Sequence, residues 1–253
     1  MAEVFELGDF LDYQPPKLVP IISSGLMYTG SRVILYGKYK TMKSMLATRF
    51  ALAVSRGEQW LGFDTPKDGI DTLYLQLEIP NPMLQERIKK MVDGKPLPKT
   101  FKHKLFIWTN HTLKIDTDEG YKELEAKIEL YKPKVLIIDP IYKIVSGDML
   151  STDYVRKLVD WIDTIVDKYG LSVLMVHHTK KGVQDEAWGN NDDMLGSVIF
   201  SAWADTIIKV ERKESSKLMV KFETVRHATE EILPKEFTVD LKNLSFIPTG
   251  RVI

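Results

Sequence analysis

The chain of 253 residues contains no cysteine. Disulfides, thiolate metal sites and a cysteine nucleophile are therefore excluded. Excess charge is missing too, because 35 basic side chains balance 35 acidic ones. The chain thus lacks the overall basic balance common in dedicated nucleic-acid binders, which still leaves room for a local basic groove. No apolar run approaches the ~20 residues needed to span a bilayer. The N-terminal stretch Met-Ala-Glu-Val-Phe-Glu-Leu-Gly-Asp has neither the basic nor the apolar region of a signal peptide. These absences point to a cytoplasmic protein with no membrane association. No repeat, low-complexity tract or linker divides the chain, so a single domain over 1–253 is expected, with residues 1–30 as an irregular lead-in.

What is present is an alternation of apolar runs and amphipathic segments. Residues 33–36 read as a strand and 44–56 as a helix closed by Gly57. Strands are expected at 72–78, 105–108, 135–139 and 171–176, with helices at 83–91, 121–131 and 153–169 between them. The 135–139 and 171–176 runs are almost continuously apolar, the mark of strands buried on both faces. Such alternation specifies an α/β fold, a mostly parallel sheet flanked by helices. Residues 195–204 read as a helix, and 204–210, 217–223 and 236–240 as late strands of an antiparallel extension.

The chemistry concentrates where strands end. Gly37-Lys38-Tyr39-Lys40-Thr41-Met42-Lys43-Ser44 sits between the first strand and the first long helix. Its Gly, Lys and Ser have the spacing of a phosphate loop, G-x-x-x-x-G-K-[ST], except that Met42 replaces the second glycine. Backbone N–H groups at a helix start attract an anion. Lys43 would reach the terminal phosphates of a nucleotide such as ATP, and Ser44 would hold Mg²⁺. A surface turn with scattered lysines, or a nucleotide-binding module that does not hydrolyse, would carry the same letters. Asp139 closes an apolar strand, as a Mg²⁺-holding carboxylate does. Glu78 ends another, where a base for an attacking water could stand; a solvated strand-end Glu is the plain alternative. His177 and His178 follow a buried strand. Adjacent strand residues point to opposite faces, so the pair makes a poor zinc site, but one of them could contact a phosphate.

Taken together, these positions resemble RecA-like P-loop ATPases, in the branch of the RepA- and DnaB-type ring helicases. Gly37 to Ser44 fits the G-x-x-K-[ST]-x-K-[ST] loop of RepA-like members. Gly57-Glu58-Gln59-Trp60-Leu61-Gly62 is similar to the family's G-x-x-F/W-L-G turn, and Asp139-Pro140 to its Walker B end. Val176-His177-His178-Thr179-Lys180-Lys181-Gly182 is similar to its V-H-H-T-x-K-G segment. Leu195-Gly196-Ser197 through Ala204-Asp205 resembles its G-S…A-D stretch. The resemblance implies ATP hydrolysis coupled to translocation on or unwinding of DNA, with ATP and Mg²⁺ bound at 37–44 and Asp139. It makes Glu78 the catalytic carboxylate and His178 a phosphate sensor. It also implies a homo-oligomer, a hexameric ring, in which Arg226 reaches a neighbour's site while Thr224 replaces a second basic finger residue. Single-stranded DNA would meet loops at 145–152 and 180–193, with Lys180, Lys181 and Trp188 as contacts, and a loading or replication partner is implied. A RecA-type recombination or accessory ATPase, or a regulatory assembly ATPase, would share the same core.

Overall fold

The structure, a computed structural model, describes residues 4–15, 17–92, 102–179 and 197–252. A short helix, α1 (Leu7–Asp12), precedes two short antiparallel strands, β1 (Pro20–Ile22) and β2 (Met27–Tyr28). Strand–helix steps follow: β3 (Arg32–Gly37) with α2 (Lys43–Arg56), β4 (Thr72–Gln76) with α3 (Asn81–Met91), and β5 (Leu105–Thr109) with α4 (Asp118–Tyr131). Next come β6 (Val135–Asp139) with α5 (Thr152–Tyr169) and β7 (Ser172–His178) with α6 (Ser197–Trp203). The closing strands are β8 (Thr206–Arg212), β9 (Lys217–Val225), β10 (Lys235–Asp240) and β11 (Ser245–Val252).

One sheet carries the order β11-β10-β9-β8-β3-β7-β6-β4-β5. From β8 to β5 every pair is parallel; β9, β10 and β11 extend it antiparallel. The α/β architecture expected from the alternation is therefore present. Side chains alternate between the faces of a strand, and the core divides accordingly. Ile34, Tyr36, Leu136, Ile138, Val173 and Met175 face the layer that holds α4, α5 and α6. Val33, Leu35, Val135, Ile137, Leu174 and Val176 face α2, whose Leu46, Phe50 and Val54 cover them. Burial on both faces explains why these strands read as unbroken apolar runs. Local signals set the helix ends: Thr117 caps α4 and Ser151 caps α5, while Gly57 and Gly170 end α2 and α5 in the left-handed conformation.

Three features differ from the sequence expectation. The 1–30 segment is not simply irregular. It holds α1 and the β1–β2 pair, and Ile21, Ile22, Leu26 and Met27 are buried. Strands of two or three residues between prolines and glycines leave no periodic signal, so only their tertiary partner reveals them. β8 is not the first strand of a meander, because it pairs in parallel with β3, and α6 leads into it from β7. β11 was not expected at all. Its Pro248 and Gly250 read as turn residues, but β11 is the sheet's outer strand, where a missing N–H costs little.

Leu174 lies fully buried on β7 between β3 and β6. Leu174→Ala should lower the unfolding free energy by about 2–5 kcal/mol. Leu130→Ala, at a residue 67% exposed on α4, should change it by no more than about 0.5 kcal/mol. Urea denaturation of the two variants measures both.

Candidate functional site

Parallel register brings distant strand ends together. Gly37, the last residue of β3, pairs with His178 at the end of β7. Gln76, the last residue of β4, pairs with Asp139 at the end of β6. The 37–44 loop, Asp139, the turn after β4 and His178 therefore share the C-terminal edge of the sheet, where ligands bind in open α/β folds. An open cavity of about 420 Å³ lies there, lined by Lys40, Lys43, Ser44, Glu78, His178 and Arg212 among others.

The loop curls tightly into α2. A side chain at Gly37 is impossible without rearrangement, since a Cβ there would sit 2.2 Å from the Val210 carbonyl oxygen on β8. Lys40 and Met42 both adopt positive φ, +62° and +64°. Such a conformation costs a non-glycine residue about 1–2 kcal/mol. Met42 thus takes the backbone shape that glycine provides more cheaply, while its side chain packs against the α2-side core. Lys43 is 4% exposed, and its ammonium donates to Gly37 O at 2.9 Å, Lys38 O at 2.6 Å and Thr41 Oγ1 at 3.4 Å. Burial pushes its pKa down to about 8, against the pull of Asp139 and Glu78. Lys43 is nevertheless mostly protonated at neutral pH.

Asp139 is 1% exposed, and donors surround both of its oxygens. Oδ1 accepts from Ser44 Oγ at 2.9 Å. Oδ2 accepts from the Tyr74 hydroxyl at 2.6 Å and from Gln76 Nε2 at 3.0 Å. Burial raises its pKa, while the hydrogen bonds from Tyr74, Ser44 and Gln76 work the other way. Gln76 is the pivot. Its Oε1 accepts from the backbone N–H of Glu78 at 2.7 Å and of Ile79 at 3.0 Å. One buried amide therefore fixes both the Asp139 carboxylate and the turn that carries Glu78.

Glu78 is exposed on that turn, and its carboxylate accepts a hydrogen bond from the Tyr142 hydroxyl. His177 and His178 diverge as strand geometry requires. His177 is buried against Phe200. His178 stacks on Tyr39 of the loop at 4.9 Å and meets the Tyr142 ring edge-on at 5.3 Å. Burial, then Lys43 and His177, push the His178 pKa down to about 4, so its ring is neutral at neutral pH. Its Nδ1 is buried with no hydrogen-bond partner among the described residues.

A family model described as an AAA domain matches residues 2–184. The chain belongs to the AAA domain family. No curated protein matches it as a relative. Among solved structures it is similar to one described as the ATPase domain of a larger protein, at 10% identity and a TM-score of 0.66, covering 87% of this chain and 85% of that one. At that identity the likeness concerns the fold, which is RecA-like with its antiparallel closing strands.

Arg226 of this AAA domain protein stands apart from the cavity. Val33 pairs with Thr206, and Thr206 with Val225, so Arg226 follows β9 at the N-terminal edge of the parallel strands. Its guanidinium donates to Ala202 O at the end of α6, and its backbone N–H to Asp205 O. Lys180, Lys181 and Trp188 lie outside the described residues. Two arginines at the cavity had no sequence motif to announce them. Arg212, at the end of β8, donates to Lys40 O at 3.3 Å, to Glu214 O and to Ser215 O. Arg87 on α3 lines the cavity and buries an Nη1 without a partner among the described residues. Nothing in its surrounding letters marks Arg87, and only the fold turns it toward the loop.

Gln76→Leu would strip Asp139 of a donor and leave two backbone N–H groups unpaired. Each unsatisfied buried group costs about 1–3 kcal/mol, so this variant should lose about 2–4 kcal/mol of stability by chemical denaturation. Hydrogen exchange should accelerate at the amides of Glu78 and Ile79 first.

Proposed function

We propose that this chain is an ATP hydrolase that acts as a homo-oligomer and couples turnover to movement along, or unwinding of, DNA. The observation that carries the hydrolase reading is the gathering of Lys43, Ser44 with Asp139, Glu78 and His178 at a single cavity. Membership of the AAA domain family and the RecA-like fold support it. Lys43 would exchange its bonds to loop carbonyls for bonds to the β- and γ-phosphates. Glu78 would take a proton from the attacking water, and the neutral His178 would hydrogen-bond the γ-phosphate. Arg87 and Arg212 add positive charge to the cavity wall.

The donor set fits Mg²⁺ arriving with a nucleotide. Ser44 Oγ and the Asp139 carboxylate stand together. Among the described residues no group of three or more His, Cys, Asp or Glu could hold a metal on its own. Hard divalent cations of this kind are typically bound by one or two protein oxygens plus phosphates. When bound, the ion neutralises charge on the phosphates. Arg226, at the opposite sheet edge, would serve the site of a neighbouring copy, where a planar permanent cation stabilises charge on the γ-phosphate.

Coupling to DNA rests on the resemblance to ring helicases. A regulatory assembly ATPase is the second reading, favoured by the 145–152 loop. That loop has no Lys or Arg, and it is folded onto Asp116 through Ser146 N at 2.8 Å, Ser146 Oγ and Gly147 N. Among the described residues no helix is long and apolar enough to cross a membrane.

Glu78→Gln should leave nucleotide affinity within about threefold and cut turnover by about 10²–10⁴-fold; unaltered turnover would remove Glu78 from the reaction. Lys43→Ala should abolish binding of a fluorescent ATP analogue. Single-stranded DNA should stimulate hydrolysis by the wild-type protein if the translocase reading holds. No stimulation, with no DNA binding at low salt, would leave the regulatory reading.

Affinity should also depend on pH. Only protonated Lys43 attracts phosphate, and its pKa of about 8 lies below the ordinary lysine value. Binding should therefore be at full strength at pH 7 and weaken as pH rises through 8. A roughly tenfold higher Kd is expected at pH 9 from the loss of the competent fraction, measured by titration calorimetry.

A further inference from the structure

The Glu78 carboxylate lies on an exposed turn, and its charged group has one visible means of orientation, the Tyr142 hydroxyl. Tyr142 is itself well held. It follows the Asp139-Pro140 end of β6 in a single tight turn, Ile141–Lys143, whose Ile141 is fully buried. From the segment after β5, the Lys114 ammonium clamps that turn through Lys143 O at 2.6 Å and Val145 O at 2.9 Å. The Tyr142 ring is half-buried, edge-on to His178 at 5.3 Å, with the Lys143 ammonium 5.7 Å from its centre. His178 in turn stacks on Tyr39 of the 37–44 loop. A chain of contacts thus runs from the loop, through two rings, to the oxygen of a carboxylate.

We propose that Tyr142 is the positioning residue of Glu78: its hydroxyl fixes Oε1, leaves Oε2 to accept the proton of the attacking water, and ties that orientation to the Tyr39–His178 stack beside the phosphates. This rests on the hydrolase reading above and adds a residue to it that no motif marks. The chemistry suits the task. An ionised carboxylate has about four acceptor positions on two oxygens, so one donor on Oε1 leaves the other oxygen available. A tyrosine hydroxyl offers one proton at the end of a rigid ring with two torsions, and here the ring is braced from two sides. Burial and the Glu78 carboxylate push the Tyr142 pKa up, well above the ordinary tyrosine value. The hydroxyl therefore remains a donor wherever the enzyme works. Without it Glu78 would sample the rotamers open to an exposed glutamate, and a reacting group displaced by about an ångström loses rate steeply.

The test is Tyr142→Phe, which removes one oxygen and keeps the ring against His178. Steady-state ATP hydrolysis should show kcat lowered by about 10- to 100-fold, with KM, ADP affinity and melting temperature near wild type. In a Glu78→Gln background the same substitution should have no further effect on residual turnover, because the carboxylate that it orients is gone. A Tyr142→Phe variant with wild-type kcat overturns the assignment. So does one in which kcat, ADP affinity and melting temperature fall together, since that is the signature of a merely structural residue. So, too, does a full Tyr142→Phe effect persisting without Glu78. Absence of turnover in the wild-type protein overturns the hydrolase reading itself, and the assignment with it, which separates the two failures.

Discussion

A carboxylate buried to 1% exposure must be surrounded by donors, and Asp139 imposes that condition on the whole catalytic edge of the sheet. It draws Ser44 from the start of α2, Tyr74 and Gln76 from β4, and its own strand β6 into contact. Tyr74 is fully buried, and Thr48 of α2 lies 3.2 Å from its hydroxyl, so the helix after the loop is tied to the same network. Gln76 then passes the constraint outward to the turn of Glu78. The tension is visible in the electrostatics: burial raises the pKa of Asp139, and its hydrogen bonds hold it back toward the ionised form. A cation bound beside Ser44 would relieve that tension directly.

The two edges of the parallel sheet have different characters. At the C-terminal edge, β3, β4, β6 and β7 deliver a lysine, two carboxylates and a neutral histidine to one cavity. At the N-terminal edge, Asp205 receives the backbone N–H of Arg32 at 2.8 Å and has His227 at 3.7 Å, holding the strand junctions together. Arg226 projects from that second edge. No motion within one copy brings it across a nine-stranded sheet, so any part that it plays in hydrolysis belongs between copies.

Much of the fold could be read from the letters, for a physical reason. Strands buried on both faces have little compositional freedom, so 135–139 and 171–176 read plainly, and amphipathic α5 repeats its apolar residues along a single stripe. The site was legible wherever its residues end such strands: Gly37, Glu78, Asp139 and His178 all do. Arg87, Arg212 and Tyr142 were not, because a helix face, a hairpin end and a turn give no sign of what lies opposite them. β11 hid behind its Pro248 and Gly250, and β8 behind the meander that follows it.

Sequence alone determined the alternation of strands and helices, the strand-end positions of the chemical groups, and the phosphate-loop spacing of Gly37, Lys43 and Ser44. These are local properties, fixed by side-chain periodicity and by the distances between neighbours along the chain. Whether Met42 spoils the loop was decided only in three dimensions. Its backbone takes the left-handed conformation, and packing of its side chain against the α2-side core offsets the cost of a non-glycine residue there. Strand order was likewise a tertiary decision. Placing β3 between β8 and β7, with β6 next to β4, sets Gly37 beside His178 and Asp139 beside Gln76. Register between strands far apart in the chain depends on which surfaces bury each other best, and no local pattern carries that information.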